Sequence, residues 1–387
     1  MGLLRTYLAL CVVAGHSTAV FPWASHDADH AVQIFFSISG FYMALILSGR
    51  YRSLKEFYVS RWLRIFPPYY AVLAGVVIWS VIVGVLVNNW LALSAYASDS
   101  FQRNGLVGMT FAGLTNFTII GQDWVMFLTD GGTFGFTSNF HESISPLWQY
   151  LVIPQGWSLG VEESCYLLAP FLIKLRSRTL AVILALSVGA RLSAYHIGFR
   201  HDPWTYRFFP FELALFICGI LAYRLYLHIG NWIPQLSGAK FYPLACAVLI
   251  IGLWLNAVVT EMAAQWIARE YVFLMAVPVW SIMVAILFAC FRQNAVDRFV
   301  GDLCFPIYLT HLIVIESIGP ALGWLQLSQE NLGKVSALIT VAISVAFCLA
   351  IRPYERWRHA FVSTGKNRNE DRMISGRHTS SAAHQAA

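Results

Sequence analysis

Residues 105–121 read GLVGMTFAGLTNFTIIG. The run is apolar enough to suggest a membrane span, yet it carries Gly108, Gly113, Gly121 and Asn116. Its reading sets the sidedness of everything that follows. If it crossed a bilayer, every later loop would change sides. Lys174, Arg176, Arg178 and the basic tail would then face outward, against the tendency of lysine and arginine to collect on the cytoplasmic side. Residues 105–128 are therefore read as a re-entrant or interfacial piece of a long outer loop over 88–156.

Outward from this run the chain is apolar almost throughout. Of 387 residues 58% are hydrophobic and 12% charged, with a mean hydropathy of +0.60. Soluble domains carry about 25% charged residues, so the solvent this composition fits is a bilayer. A cytosolic enzyme, a disordered chain and a secreted disulfide scaffold are excluded. The seven cysteines are single and set in apolar runs, with no CxxC, and read as small apolar side chains.

Ten segments approach the roughly 20 apolar residues that a spanning helix needs. They cover about 3–22, 30–49, 66–87, 158–173, 179–197, 208–226, 242–259, 271–291, 303–322 and 334–351. Only Arg5 precedes the first apolar run and no small-x-small site follows it, so it is read as retained and not as a cleaved leader. With the N-terminus inside, all but six of the 26 basic residues fall on the inner side. The six are Arg103, Arg191, Arg200, Arg207, Arg269 and Lys334. The expected fold is all-α, a polytopic bundle of about ten membrane helices with both termini cytoplasmic. Residues 1–353 form the membrane domain, and 354–387 form a polar, disordered tail.

Polar groups inside a membrane are costly and mark function by default. His16 follows Arg5 by eleven residues, about 16 Å along a helix, and can exchange a proton near neutral pH. In IFFSISGFYMA (34–44), Ser37, Ser39 and Gly40 allow close approach of a helix or of a thin ligand. In RYRSLKEFYVSRWLRIFPPYY (50–70), read as an inner loop, Arg61 and Arg64 share a face and suit phosphate groups. Pro67 and Pro68 mark where the chain returns to the membrane. QGWSLGVEESCYLLAPFLI (155–173) places Glu162 and Glu163 in a membrane helix, with Trp157 in the interfacial aromatic belt. One carboxylate either orients His16, as the third member of a triad does, or pairs with Arg191 or Arg207 for structure. CFPIYLTHLIVIE (304–316) carries Tyr308, His311 and Glu316, the first two on one face. HDADH (26–30) is a weak metal pattern without a distant third ligand, and no metal is expected.

Five of these features stand in order: Arg5 with His16, FFSISGF, RWLRIFPPYY, WSLGVEESCYLLAP and IYLTH. Together they resemble the membrane-bound acyltransferase 3 family, the O-acyltransferases of bacterial surface polysaccharides. IRPYERWR (351–358) is similar to the family's closing segment. The resemblance implies transfer of an acyl group, usually acetyl, from cytoplasmic acyl-CoA to a sugar hydroxyl across the bacterial inner membrane. It implies His16 as the catalytic residue, base or acyl carrier, with Glu162 as the matching glutamate of the WSL segment. Arg61 and Arg64 match the donor-side arginines, and Ser39 and Gly40 the small-residue motif. Arg5, Trp157, Ser158, Glu163, Tyr308 and His311 lie within the same motifs. The implied partners are acyl-CoA, a carbohydrate or glycolipid acceptor and the bilayer, with no nucleic acid. One departure is Gly2, where family members often carry an aspartate. A flippase of lipid-linked sugars, using the same His and Glu as a proton relay, is the competing function.

Overall fold

The computed structural model describes residues 1–18, 20–21, 27–49, 53–98, 105–131, 133–229, 241–263, 265–322 and 328–361. The long helices are α1 (Gly2–His16), α2 (Ala28–Leu47), α3 (Leu54–Val87), α4 (Leu106–Thr118), α5 (Trp157–Leu172) and α6 (Ser177–His196). They continue as α7 (Phe209–Ile229), α8 (Tyr242–Ala263), α9 (Arg269–Phe291), α10 (Ala295–Asp302), α11 (Cys304–Leu322) and α12 (Gln329–Ala350). The one sheet among the described residues is a ribbon of β1 (Leu128–Asp130) and β2 (Phe134–Phe136). It is antiparallel, with Thr129 opposite Gly135.

All ten expected segments form helices. Among the described residues eight stretches are long and apolar enough to cross a membrane: α2, α3, α6, α7, α8, α9, the α10–α11 run and α12. The other two of the ten expected segments are α1 and α5. At 15 and 16 residues, α1 and α5 fall short of the roughly 20 that a span needs. Both pack inside the bundle, α1 between α2, α10, α11 and α12, and α5 against α2 and α7. Helices wrapped in protein need not match the thickness of the lipid.

Two further boundaries differ from the sequence reading. The inner loop over 50–70 is helical from Leu54 onward. The Ser53 hydroxyl accepts the Glu56 N–H as an N-cap, and Pro67 and Pro68 lie within the helix. Pro67 has no N–H to give the Leu63 carbonyl. The Tyr354 hydroxyl donates to that carbonyl instead, at 2.5 Å. Tyr354 itself lies in the supposed disordered tail, whose residues 352–361 are helical. Docking of that segment on α3 supplies the order that its polar composition hid. Residues 362–387 lie outside the described residues.

The 105–128 run forms α4, only 13 residues long. It ends where Ile119 and Gly121 take positive φ and reverse the chain. Asn116, the polar residue that marked this run, is buried. Its side chain donates to the Tyr150 carbonyl at 2.8 Å and accepts the Val152 N–H at 2.8 Å. Tyr69 and Tyr70 of α3 donate to the carbonyls of Asn116 and Phe117. Residues 122–125 pack against α5, and Phe127 meets Trp204 and Phe208 of the 197–208 loop.

Candidate functional site

His16 is the last residue of α1, not a mid-helix residue of a longer span. Beside it, Gly15 lets α2 approach closely, because a Cβ there would lie 2.5 Å from the Ala28 methyl. The imidazole is exposed and faces the His311 ring of α11, with centroids 5.2 Å apart. His311 is fully buried. Its Nδ1 lies 2.7 Å from the Tyr308 carbonyl, a contact that needs a proton on Nδ1. That leaves Nε2 as a lone pair, and Nε2 has no partner among the described residues.

Tyr308 fixes the wall beside this pair. Its hydroxyl donates to the Gln155 carbonyl and accepts from Ser158, both at 2.7 Å. Trp157 is buried and so does not serve in an interfacial belt. Arg207 lies over its ring at 4.4 Å, and Tyr206 packs at 5.5 Å. Asp202 holds Arg207 through two oxygens, at 2.5 and 2.8 Å. Burial works against the Arg207 charge, but the Tyr206 and Asp202 oxygens outweigh it and hold its pKa above the ordinary arginine value. Arg207 is also within electrostatic reach of His16.

A second group lies toward the other end of α1. The Glu162 carboxylate accepts from Ser39 of α2 and from Tyr166, one turn along α5. His16 is not hydrogen-bonded to it among the described residues, so a His16–Glu162 triad contact does not form here. Arg191 and Arg207 are committed elsewhere, Arg191 to Glu212 and Glu270 and Arg207 to Asp202. Glu163 is buried, within reach of Arg61. Arg64 is exposed and lies within electrostatic reach of Arg61, Arg5 and Arg358, and Arg5 within reach of Glu162 and Asp302. These arginines form a cationic cluster at the end of the bundle where α1 begins.

Gly40 belongs to neither group. A Cβ there would collide with the Phe216 carbonyl of α7, and one on Gly219 with the Ser37 carbonyl. The α2–α7 crossing closes over Gly40 and leaves no room for a ligand, which corrects the ligand-side reading of this residue. Ser39, one position along, faces Glu162 instead.

The missing aspartate at Gly2 has a counterpart in space. Asp297 of α10 accepts the backbone N–H groups of Gly2 and Leu3 at 2.8 and 3.0 Å. It caps α1 from another helix. In the HDADH stretch, Asp27, Asp29 and His30 bring ligand atoms within 4.8 Å of one another. Asp27 also lies 3.6 Å from Arg269, and His30 stacks on Phe273. His26 lies outside the described residues. Sequence reasoning missed Gln155 and Tyr206 as neighbours of the site. The aromatic density of WTYRFFPF (204–211) is a signal that could have found this loop.

The sequence profile described as an acyltransferase domain matches residues 1–352. The chain belongs to the acyltransferase 3 family. It is a multi-pass membrane acyltransferase. No curated protein and no solved structure matches it.

Proposed function

We propose that this acyltransferase moves an acyl group, of the acetyl type, from cytoplasmic acyl-CoA to a carbohydrate hydroxyl on the outer face of the bacterial inner membrane. The observation that carries the reading is the pairing of His16 with His311 at one end of α1 while Arg5, Arg61 and Arg64 gather near the other. The positive-inside rule assigns the arginine end, with both termini, to the cytoplasm. Forked guanidiniums there suit the phosphates of CoA.

The rise from Arg5 to His16 is about 16 Å, a distance that an extended pantetheine arm covers. The Ser39–Glu162–Tyr166 group lies between, and the Glu162 carboxylate accepts amide N–H groups of the arm. At His16 the sugar oxygen attacks the thioester carbonyl as the imidazole takes the hydroxyl proton. The C–O bond forms, the C–S bond breaks, and the leaving thiolate recovers the proton from the imidazolium. In the variant route the His16 nitrogen carries the acyl group between the two partners. His311, its Nδ1 proton held by Tyr308, is the neutral neighbour that accepts a hydrogen bond on Nε2.

The test is a His16→Ala protein that inserts at wild-type levels. Surface glycans of a gene-deleted strain are compared by mass spectrometry after complementation with each form. Wild type restores an acyl increment and His16→Ala does not. An increment restored by His16→Ala refutes the mechanism.

A further inference from the structure

Across α11 from His311 the protein forms a half-open cavity of about 550 Å³, within the size range of ligand sites. Its wall includes Asn89, Ser94, Trp148, Gln155, Leu312 and Glu316. Leu309, Leu312, Ile313 and Glu316 share one face of α11 by helical spacing, and Tyr308 and His311 lie on other faces. The cavity therefore lies on a different face of α11 from the His16–His311 pair. Gln155 joins the two. Its backbone carbonyl receives the Tyr308 hydroxyl on the His16 side, and its side-chain N–H₂ donates to the Leu309 carbonyl at 2.7 Å.

Two buried polar atoms of this wall lack partners among the described residues: the Gln155 Oε1 acceptor and the Trp148 Nε1–H donor. Gln155 is only 5% exposed. Buried polar atoms without partners are rare and each calls for an account. Both residues line the cavity, and a hydroxyl group can serve a donor or an acceptor alike. The Trp148 indole adds a flat apolar face. Glu316 carries the only charge among the described lining residues, with no lysine or arginine beside it. An anionic headgroup or a CoA phosphate finds no counter-charge among the described lining residues.

We propose that this cavity is a subsite for the acceptor, holding sugar units next to the one that is acylated. The segment it takes is hydroxyl-rich and free of carboxylate, sulfate or phosphate. The proposal rests on the acyltransferase reading above and adds where, and by what chemistry, the acceptor is chosen.

The experiment uses the full chain purified in detergent, acetyl-CoA, and glycan from the gene-deleted strain stripped of esters by mild alkali. Two variants probe the cavity: Glu316→Gln, nearly isosteric at an exposed position, and Ser94→Trp, which fills it. Loss of a hydrogen bond to a charged group predicts a KM for the glycan about tenfold higher in Glu316→Gln. Ser94→Trp raises it further. In both, kcat and the KM for acetyl-CoA stay within about twofold of wild type, which also reports an intact fold. A glycan KM unchanged in both variants overturns the proposal. So does native mass spectrometry showing a phospholipid held by wild type and expelled by Ser94→Trp with the glycan KM unmoved. Wild type that transfers no acyl group fails at an earlier step, and refutes the proposed function itself.

Discussion

Replacing Arg191 by methionine tests what holds together the half of the bundle that carries the Thr205–Arg207 loop. Arg191 of α6 is 2% exposed and Glu212 of α7 is fully buried. The guanidinium donates to Glu212 at 3.1 Å, to Glu270 of α9, and to the Thr205 carbonyl of the loop that carries Tyr206 and Arg207. Gln33 of α2 donates to both Glu212 oxygens, at 3.0 and 3.1 Å. Four helices and one loop meet at this cation. Arg191→Met keeps an unbranched apolar stem and removes the charge, leaving two buried carboxylates without their partner. Removing one side of a buried pair costs about 3–5 kcal/mol. At roughly 2 °C per kcal/mol for a chain of this size, the thermal midpoint falls by roughly 6–10 °C. The assay heats detergent-solubilised protein and measures the monodisperse fraction by size exclusion. Arg191→Met with Glu212→Gln and Glu270→Gln recovers most of the loss, because no charge is then left buried alone. A wild-type midpoint for the single variant, or a triple variant no more stable than the single, refutes the account.

Two further outcomes follow from particular contacts. Asp123 is buried beside Gly160, one of its oxygens has no partner among the described residues, and burial pushes its carboxyl up to about 7. Its folded pKa therefore lies above the ordinary 3.8. The stability it allows is fully present below about pH 4 and is lost as pH rises through 7, by up to about 4 kcal/mol at ~1.4 kcal/mol per pKa unit. Asp123→Asn flattens that slope in thermal midpoints taken from pH 4 to 8, and an unchanged slope rules the assignment out. Tyr354→Phe strands the Leu63 carbonyl, which Pro67 cannot serve, and costs about 1–3 kcal/mol in the same assay. Adding Pro67→Ala restores a backbone donor and recovers most of it. A silent Tyr354→Phe contradicts the role given to that hydroxyl.

Much of this was legible before any coordinates. Hydropathy alone located all ten helical segments, because burying apolar side chains in lipid or protein selects the same residues. Asn116 and the surrounding glycines marked 105–121 as unlike its neighbours, and the structure shows that asparagine tying α4 to the 150–152 segment. Five ordered motifs identified the family. Helix ends were less legible. α1 ends at His16, next to the close approach of Ala28 to Gly15, and 352–361 docks on α3, neither of which local composition records.

The sequence by itself determined the solvent, the helical class, the family and the short list of polar residues within the apolar mass. Helical spacing assigns residues to faces of one helix and says nothing of which faces meet. Only the tertiary structure decided that His16 faces His311, that Glu162 turns to Ser39 and Tyr166, and that Arg191 serves Glu212 and Glu270. It also decided that Gly40 is closed by α7, although its neighbour Ser39 is not. Apart from Glu162 and Tyr166, one helical turn apart, each of these pairs joins residues more than twenty positions apart. Their meeting depends on how close glycine lets two backbones approach and on where each buried charge finds its partner, both properties of the packed bundle.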